Sequence, residues 1–162
     1  MADFNVFEMM LFTLWIYLPG FLVNTFAMMW GKWLPKTGYG PWPIDGGRMH
    51  KDGNRLLGDG KTWNGLIGGS LTSGLLCYLM TMVPENWVFI SPTEAATGWA
   101  ASAFVLGTFL GFTSLVGDST GSYFKRRKGM KREGDVSSKA PLLDTLPFAI
   151  SVFVFGQIFL TG

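Results

Sequence analysis

Cysteine, histidine and charge are all scarce in this chain, and each scarcity removes a class of protein. Cys77 stands alone, so no intrachain disulfide forms. His50 is the lone histidine, which leaves no material for a His-rich metal centre and little for a Ser–His–Asp triad. Only 15% of the 162 residues are Asp, Glu, Lys or Arg, against about 25% in an ordinary soluble domain. The net charge of +2 gives no general attraction for nucleic acid.

What is abundant is apolar surface, at 48% of residues. A bilayer span needs about 20 predominantly apolar residues, and four runs reach that length: 4–30, 63–83, 95–117 and 142–160. The first is interrupted by Pro19, Gly20 and Asn24; Asp3 and Glu8, together with its length, argue against a signal peptide. The second carries Gly65, Gly68, Gly69, Ser70, Ser73 and Gly74, and the third carries Gly107 and Gly111. Small residues at such spacings let helices approach closely in lipid. The expectation is an all-α, polytopic transmembrane bundle, one integral membrane domain over residues 1–162.

Every Lys and Arg lies in two segments, 31–62 and 118–141. The connection from Pro84 to Glu94 has acids and no base. The positive-inside rule therefore places both charged loops in the cytoplasm of a multi-pass cell-membrane protein.

Topology and lipid attraction explain bases, but not the acids and glycines among them. The first loop contains "IDGGRMHKDGNRLLGDGKTWNG", too rich in glycine for one helix. Its "GDGKT" evokes a P-loop, yet the position five before Gly60 is Arg55 and no strand precedes it. Lys61 and Thr62 nonetheless open an apolar helix, whose N-terminus favours an anion. In the second loop, a third helix continuing past the membrane would align Asp118, Ser122, Lys125 and Arg126 on one stripe. Asp144 sits in the opening turn of the fourth run, where a carboxylate either faces a polar cavity or metal or complements the helix dipole. Asn24 faces a similar choice between a helix contact and the same cavity. Together Asp118 and Asp144 could hold a Mg²⁺, with Lys61, Lys125 and Arg126 neutralising phosphates.

These residues carry a resemblance. "GDSTGSYFKRRKGMKREGDVSSKAPLLDTL" is similar to the signature of the CTP-dependent phosphatidate cytidylyltransferases. Together with the first loop and Asn24, it looks more specifically like their archaeal branch, the CDP-archaeol synthases. The resemblance implies that the phosphate of an isoprenoid ether lipid attacks the α-phosphorus of CTP, giving a CDP-activated lipid and pyrophosphate with Mg²⁺ required. By position it implies catalytic roles for Lys125, Arg126, Asp118 and Asp144, the last two on the metal. It implies nucleotide or phosphate contacts for Asn24, Asp45, Arg48, Asp52, Arg55, Asp59, Gly60, Lys61, Thr62 and Ser122, the first loop acting as a lid.

Two departures stand out. The family often has a second acid where this chain has Pro147. It is also drawn with five spans, whereas hydropathy gives four; between Trp87 and Gly117 any fifth would be short or re-entrant. Other readings are a CDP-alcohol phosphotransferase, whose aspartate ladder is missing after Asp52-Gly53 and Asp59-Gly60, and a small channel or transporter lined by Asp144 and Asn24.

Overall fold

The computed structural model describes residues 5–84, 102–130 and 141–160, with side chains in the last stretch from 145 onward. Among the described residues four α-helices follow one another: α1 (Val6–Trp33), α2 (Trp63–Met80), α3 (Ala103–Arg127) and α4 (Pro141–Phe159). The expected connection from residue 85 to 94, the start of the third run, and the bases Lys131, Arg132 and Lys139 lie outside the described residues.

Local chemistry sets the helix starts. Asn5 Oδ1 accepts from the Glu8 amide at 2.9 Å, and Glu8 Oε2 accepts from the Asn5 amide at 2.9 Å, a reciprocal cap for α1. The acid that argued against a signal peptide is thus a helix-capping group. Pro19 does not end α1, which runs 28 residues. At 1.5 Å per residue that is about 42 Å, more than the roughly 30 Å of bilayer hydrocarbon. Pro19 and Gly20 are instead buried contact points: the Ser73 hydroxyl donates to the Pro19 carbonyl at 2.8 Å, and a Cβ on Gly20 would lie 3.1 Å from Leu110 Cγ. Thr62 caps α2, its hydroxyl accepting from the Gly65 amide at 3.1 Å.

The small residues do what their spacing predicted. A Cβ on Gly65 would lie 2.9 Å from the Ala27 carbonyl oxygen, joining α1 to α2. One on Gly74 would lie 2.7 Å from the Phe104 carbonyl, and one on Gly107 the same distance from that of Ser73, so α2 and α3 approach backbone to backbone. Gly117 meets the Pro147 carbonyl where α3 crosses α4. Leu106, Leu110, Val152 and Phe155 fill one part of the core, and Val23, Leu66 and Leu115 another. Such van der Waals fit carries helix association in lipid, where no hydrophobic drive operates between helices.

Outward faces are the reverse of a soluble protein's. Leu14, Leu71, Phe112, Ile150, Val154 and Ile158 are exposed, with apolar neighbours on every helix, far beyond the isolated patches of a soluble monomer. The fold is all-α and membrane-embedded, with at least two helices, α1 and α3, long and apolar enough to cross. The described apolar part of α4, Thr145–Phe159, is shorter, and the glycines and serines that let α2 pack also dilute its hydropathy.

Candidate active site

The α1–α2 loop is organised without a sheet. Isolated bridges pair Pro43 with Thr62 and Met49 with Arg55, and its hub is Asp45, 6% exposed. The Asp45 carboxylate accepts from the amides of Gly47, Leu57 and Gly58 at 3.1, 3.0 and 3.2 Å. It also accepts from Arg55 Nε and Nη2 at 3.2 and 2.7 Å. Burial alone would raise the Asp45 pKa, but the Arg55 guanidinium and these amides together hold it well below the usual carboxylate range. Arg55 Nη1 reaches on to Asp59 at 2.6 Å, so one guanidinium ties the loop's start to its end.

Between this loop, the last turns of α1 and the extended end of α3 lies a cavity of about 680 Å³. The α3 stripe enters it as the spacing required, because the helix runs on to Arg127: Asp118, Ser122, Lys125 and Arg126 all line the cavity. The loop contributes Asp59, Gly60, Lys61 and Thr62, and α1 contributes Asn24. Lys61 Nζ donates to the Asp118 carboxylate across the gap. Lys125 is 7% exposed, a costly position for an ammonium unless its surroundings are polar or an anion is expected. Arg126 Nη1 donates to the Met130 carbonyl at 2.6 Å and packs on Gly58, where a Cβ would lie 3.3 Å from Arg126 Nε. At φ +102° Gly58 also has a backbone that disfavours any side chain. Among the lining residues four bases (Lys32, Lys61, Lys125 and Arg126) face two acids, Asp59 and Asp118. That balance suits a polyanion.

Not every expected residue reaches this cavity. The acceptor atoms of Asp45 and the nitrogens of Arg55 are spent inside the loop, as described. Arg48 lines a second cavity of about 500 Å³ with Asp45, Trp63 and Tyr123; Ile44 and Leu57 border both cavities. Asp52 pairs with Arg127 instead, at 2.8 Å. Asp144 is placed in the first turn of α4, one turn before the Pro147 that meets Gly117 beside Asp118, and its side chain lies outside the described residues. Sequence reading missed Asn64, which is buried: its Oδ1 accepts from the Trp42 amide at 3.2 Å and its Nδ2 donates to the Tyr39 carbonyl at 3.1 Å. It also missed Ser119 and Lys32 in the cavity wall. Nothing in a periodicity marks Asn64, since its partners lie in an irregular turn.

A divalent cation would find few ligands here in advance. Among the described residues no three His, Cys, Asp or Glu side chains group together, and the Asp118 carboxylate is engaged by Lys61. One or two carboxylates beside a cationic cradle fit Mg²⁺ that arrives coordinated by substrate phosphates, which keeps most of its ligands as phosphate and water. The donor set fits that mode.

A family model described as CarS-like: CDP-archaeol synthase matches residues 6–161. The CDP-archaeol synthase of Thermococcus onnurineus is 39% identical over 149 residues, covering 90% of this chain and 74% of the relative. That of Methanosarcina mazei is 36% identical over 145 residues, covering 85% and 73%. A solved structure of an intramembrane enzyme of archaeal membrane-lipid biosynthesis superposes with a TM-score of 0.60 at 28% identity, over 90% of this chain and 76% of that one. With the match running from the first turn of α1 to beyond the end of α4, the chain belongs to the CDP-archaeol synthase family, kin to the phosphatidate cytidylyltransferases.

Proposed function

We propose that this chain transfers a cytidylyl group from CTP to the phosphate of an isoprenoid ether lipid, and that the 680 Å³ cavity holds the reacting phosphates. The observation that carries this placement is the convergence of Lys61, Lys125 and Arg126 with Asp118 and Ser122 from two distant segments. A lipid-phosphate oxygen forms a bond to the α-phosphorus of CTP while the bond from that phosphorus to the bridging oxygen breaks, and pyrophosphate leaves with the electron pair. The attacking group is already an anion at neutral pH, so no side chain need become a nucleophile or remove a proton. The protein's part is alignment and charge neutralisation.

Lys125 and Arg126 neutralise the triphosphate from α3, and Lys61 does so from the loop. On binding, Lys61 exchanges the Asp118 carboxylate for a phosphate oxygen, which frees Asp118. Mg²⁺ bound with the nucleotide would be held by Asp118, with Asp144 as second carboxylate by its place in the signature, and would supply further charge neutralisation. Ala27, Met28, Leu66 and Leu115 form an apolar part of the cavity wall, suited to the lipid's first carbons. The segregation of the bases supports a site at the cytoplasmic face of a protein with four clear spans and room for a short fifth.

Sealed membrane vesicles containing the protein and an ether-lipid phosphate test activity and orientation together. Added CTP and Mg²⁺ should yield CDP-lipid and pyrophosphate in inside-out vesicles and none in right-side-out ones. Absence of product in both would refute the activity, and product only in right-side-out vesicles would reverse the topology.

A further inference from the structure

Arg127 takes no part in the steps above and does not line the main cavity, yet it joins the two walls that do. Its Nη1 donates to Asp52 Oδ2 at 2.8 Å and its Nη2 to the Arg55 carbonyl at 2.6 Å, contacts spanning 75 and 72 residues of sequence. The guanidinium carbon lies 5.2 Å from the centre of the Tyr123 ring, one helical turn back on α3. Asp52 is shaped to receive it. The other Asp52 oxygen accepts from the Asn54 amide at 3.0 Å, and Gly53, at φ 76°, closes the turn between them. A carboxylate is a poor direct ligand for phosphate oxygens, because like charges repel, so an effect of Asp52 on the triphosphate would pass through a cation. Arg127 is that cation by geometry. It follows Lys125 and Arg126 directly in α3, and it holds the backbone of Arg55, whose side chain fixes Asp45 and Asp59.

We propose that Arg127 is a positioning residue, latching the α1–α2 loop onto α3 so that Asp59–Lys61 face Lys125 and Arg126 at the spacing a triphosphate spans. This rests on the reading of the cavity as the CTP site. Lysine should not replace it, since its donors share one nitrogen, whereas Arg127 reaches two separate acceptors from Nη1 and Nη2 and lays a planar group near Tyr123.

The test is steady-state kinetics with CTP and lipid phosphate varied separately, on Arg127→Ala, Arg127→Lys, Asp52→Asn and the Arg127→Ala/Asp52→Asn double variant. Each single change should raise KM for CTP about tenfold, the usual scale of one lost charge-assisted hydrogen bond. KM for the lipid phosphate should stay within about twofold, and the double variant within about twofold of the worse single one, because the two side chains act as one contact. Hydrogen exchange at amides 48–60 should quicken in all three single variants. An Asp52→Asn enzyme with unchanged KM for CTP beside a weakened Arg127→Ala enzyme would mean that Arg127 meets phosphate itself, and the latch would be wrong. Additive losses in the double variant would also overturn it. Should Arg127→Ala fail to fold, Asp52→Asn and Arg127→Lys still decide. Lys125→Ala serves as the separate control: if it leaves kcat/KM for CTP unchanged, the cavity assignment fails, whereas a loss there with normal Asp52 and Arg127 variants sinks the latch alone.

Discussion

At the scale of single residues, the Asp45 carboxylate is held by two guanidinium nitrogens and three backbone amides, and acid should undo it. Its pKa is lowered in the folded protein, despite burial, by Arg55 and those amides. Below the unfolded value of about 3.9 the unfolded chain therefore binds a proton that the folded loop refuses. The stability from Asp45 is complete above about pH 4 and is lost as pH falls from there toward the folded value. Replacing Asp45 by Ala leaves Arg55 without its buried partner, and should cost about 3 kcal/mol at pH 7. Thermal unfolding in detergent at pH 7 and pH 3 checks both effects: Asp45→Ala should unfold earlier at pH 7 and lose part of the wild-type acid sensitivity. Identical unfolding of the two proteins at pH 7 would show that the hub is not structural. The sequence could not distinguish this acid from a phosphate-site residue. Asp45 and Arg55 are ten positions apart in an irregular loop, where no period predicts a partner, whereas Lys125 was legible because a helical repeat joins it to Asp118 and Ser122.

Among the elements, the helices were legible and their company was partly so. Apolar length located α1, α2 and α4 to within a few residues, because a bilayer span has one dominant requirement. The glycines of α2 and α3 announced close packing, but not which helix each would touch; only the fold pairs Gly107 with Ser73 and Gly117 with Pro147. The tightness has a consequence. A side chain on Gly107 meets backbone, with its Cβ 2.7 Å from the Ser73 carbonyl and 3.0 Å from Gly74 Cα. Neither atom can move aside alone. Gly107→Leu should destabilise the bundle by about 2 kcal/mol through overpacking, while Phe112→Leu, on an exposed face, should be nearly neutral. Equal melting temperatures for the two variants in one detergent would contradict the close α2–α3 approach.

For the whole molecule, the architecture sets a membrane-embedded bundle beneath a folded loop, with the polar cavity at their junction. Its α3 wall could be read from sequence because it is one continuous helix. Of the loop wall, Lys61 and Thr62 could be read from their place at the start of an apolar helix, but not the contact of Lys61 with Asp118, which depends on the Asp45–Arg55 hub and the Thr62 cap. The claim at the centre is that this junction grips triphosphate through directed contacts, not through a diffuse positive surface. A diffuse surface would make any base exchangeable, as exposed ion pairs contribute little. Directed contacts would not, each supplying about 2–4 kcal/mol to the transition state, or roughly 30- to 1000-fold in rate. The measurement is kcat/KM for CTP, in one lipid mixture, for Lys125→Ala and Arg126→Ala beside Lys51→Ala, which alters an exposed loop base. Lys125→Ala and Arg126→Ala should fall within that range while Lys51→Ala stays within about threefold of wild type; equal small losses in all three would contradict the assigned site.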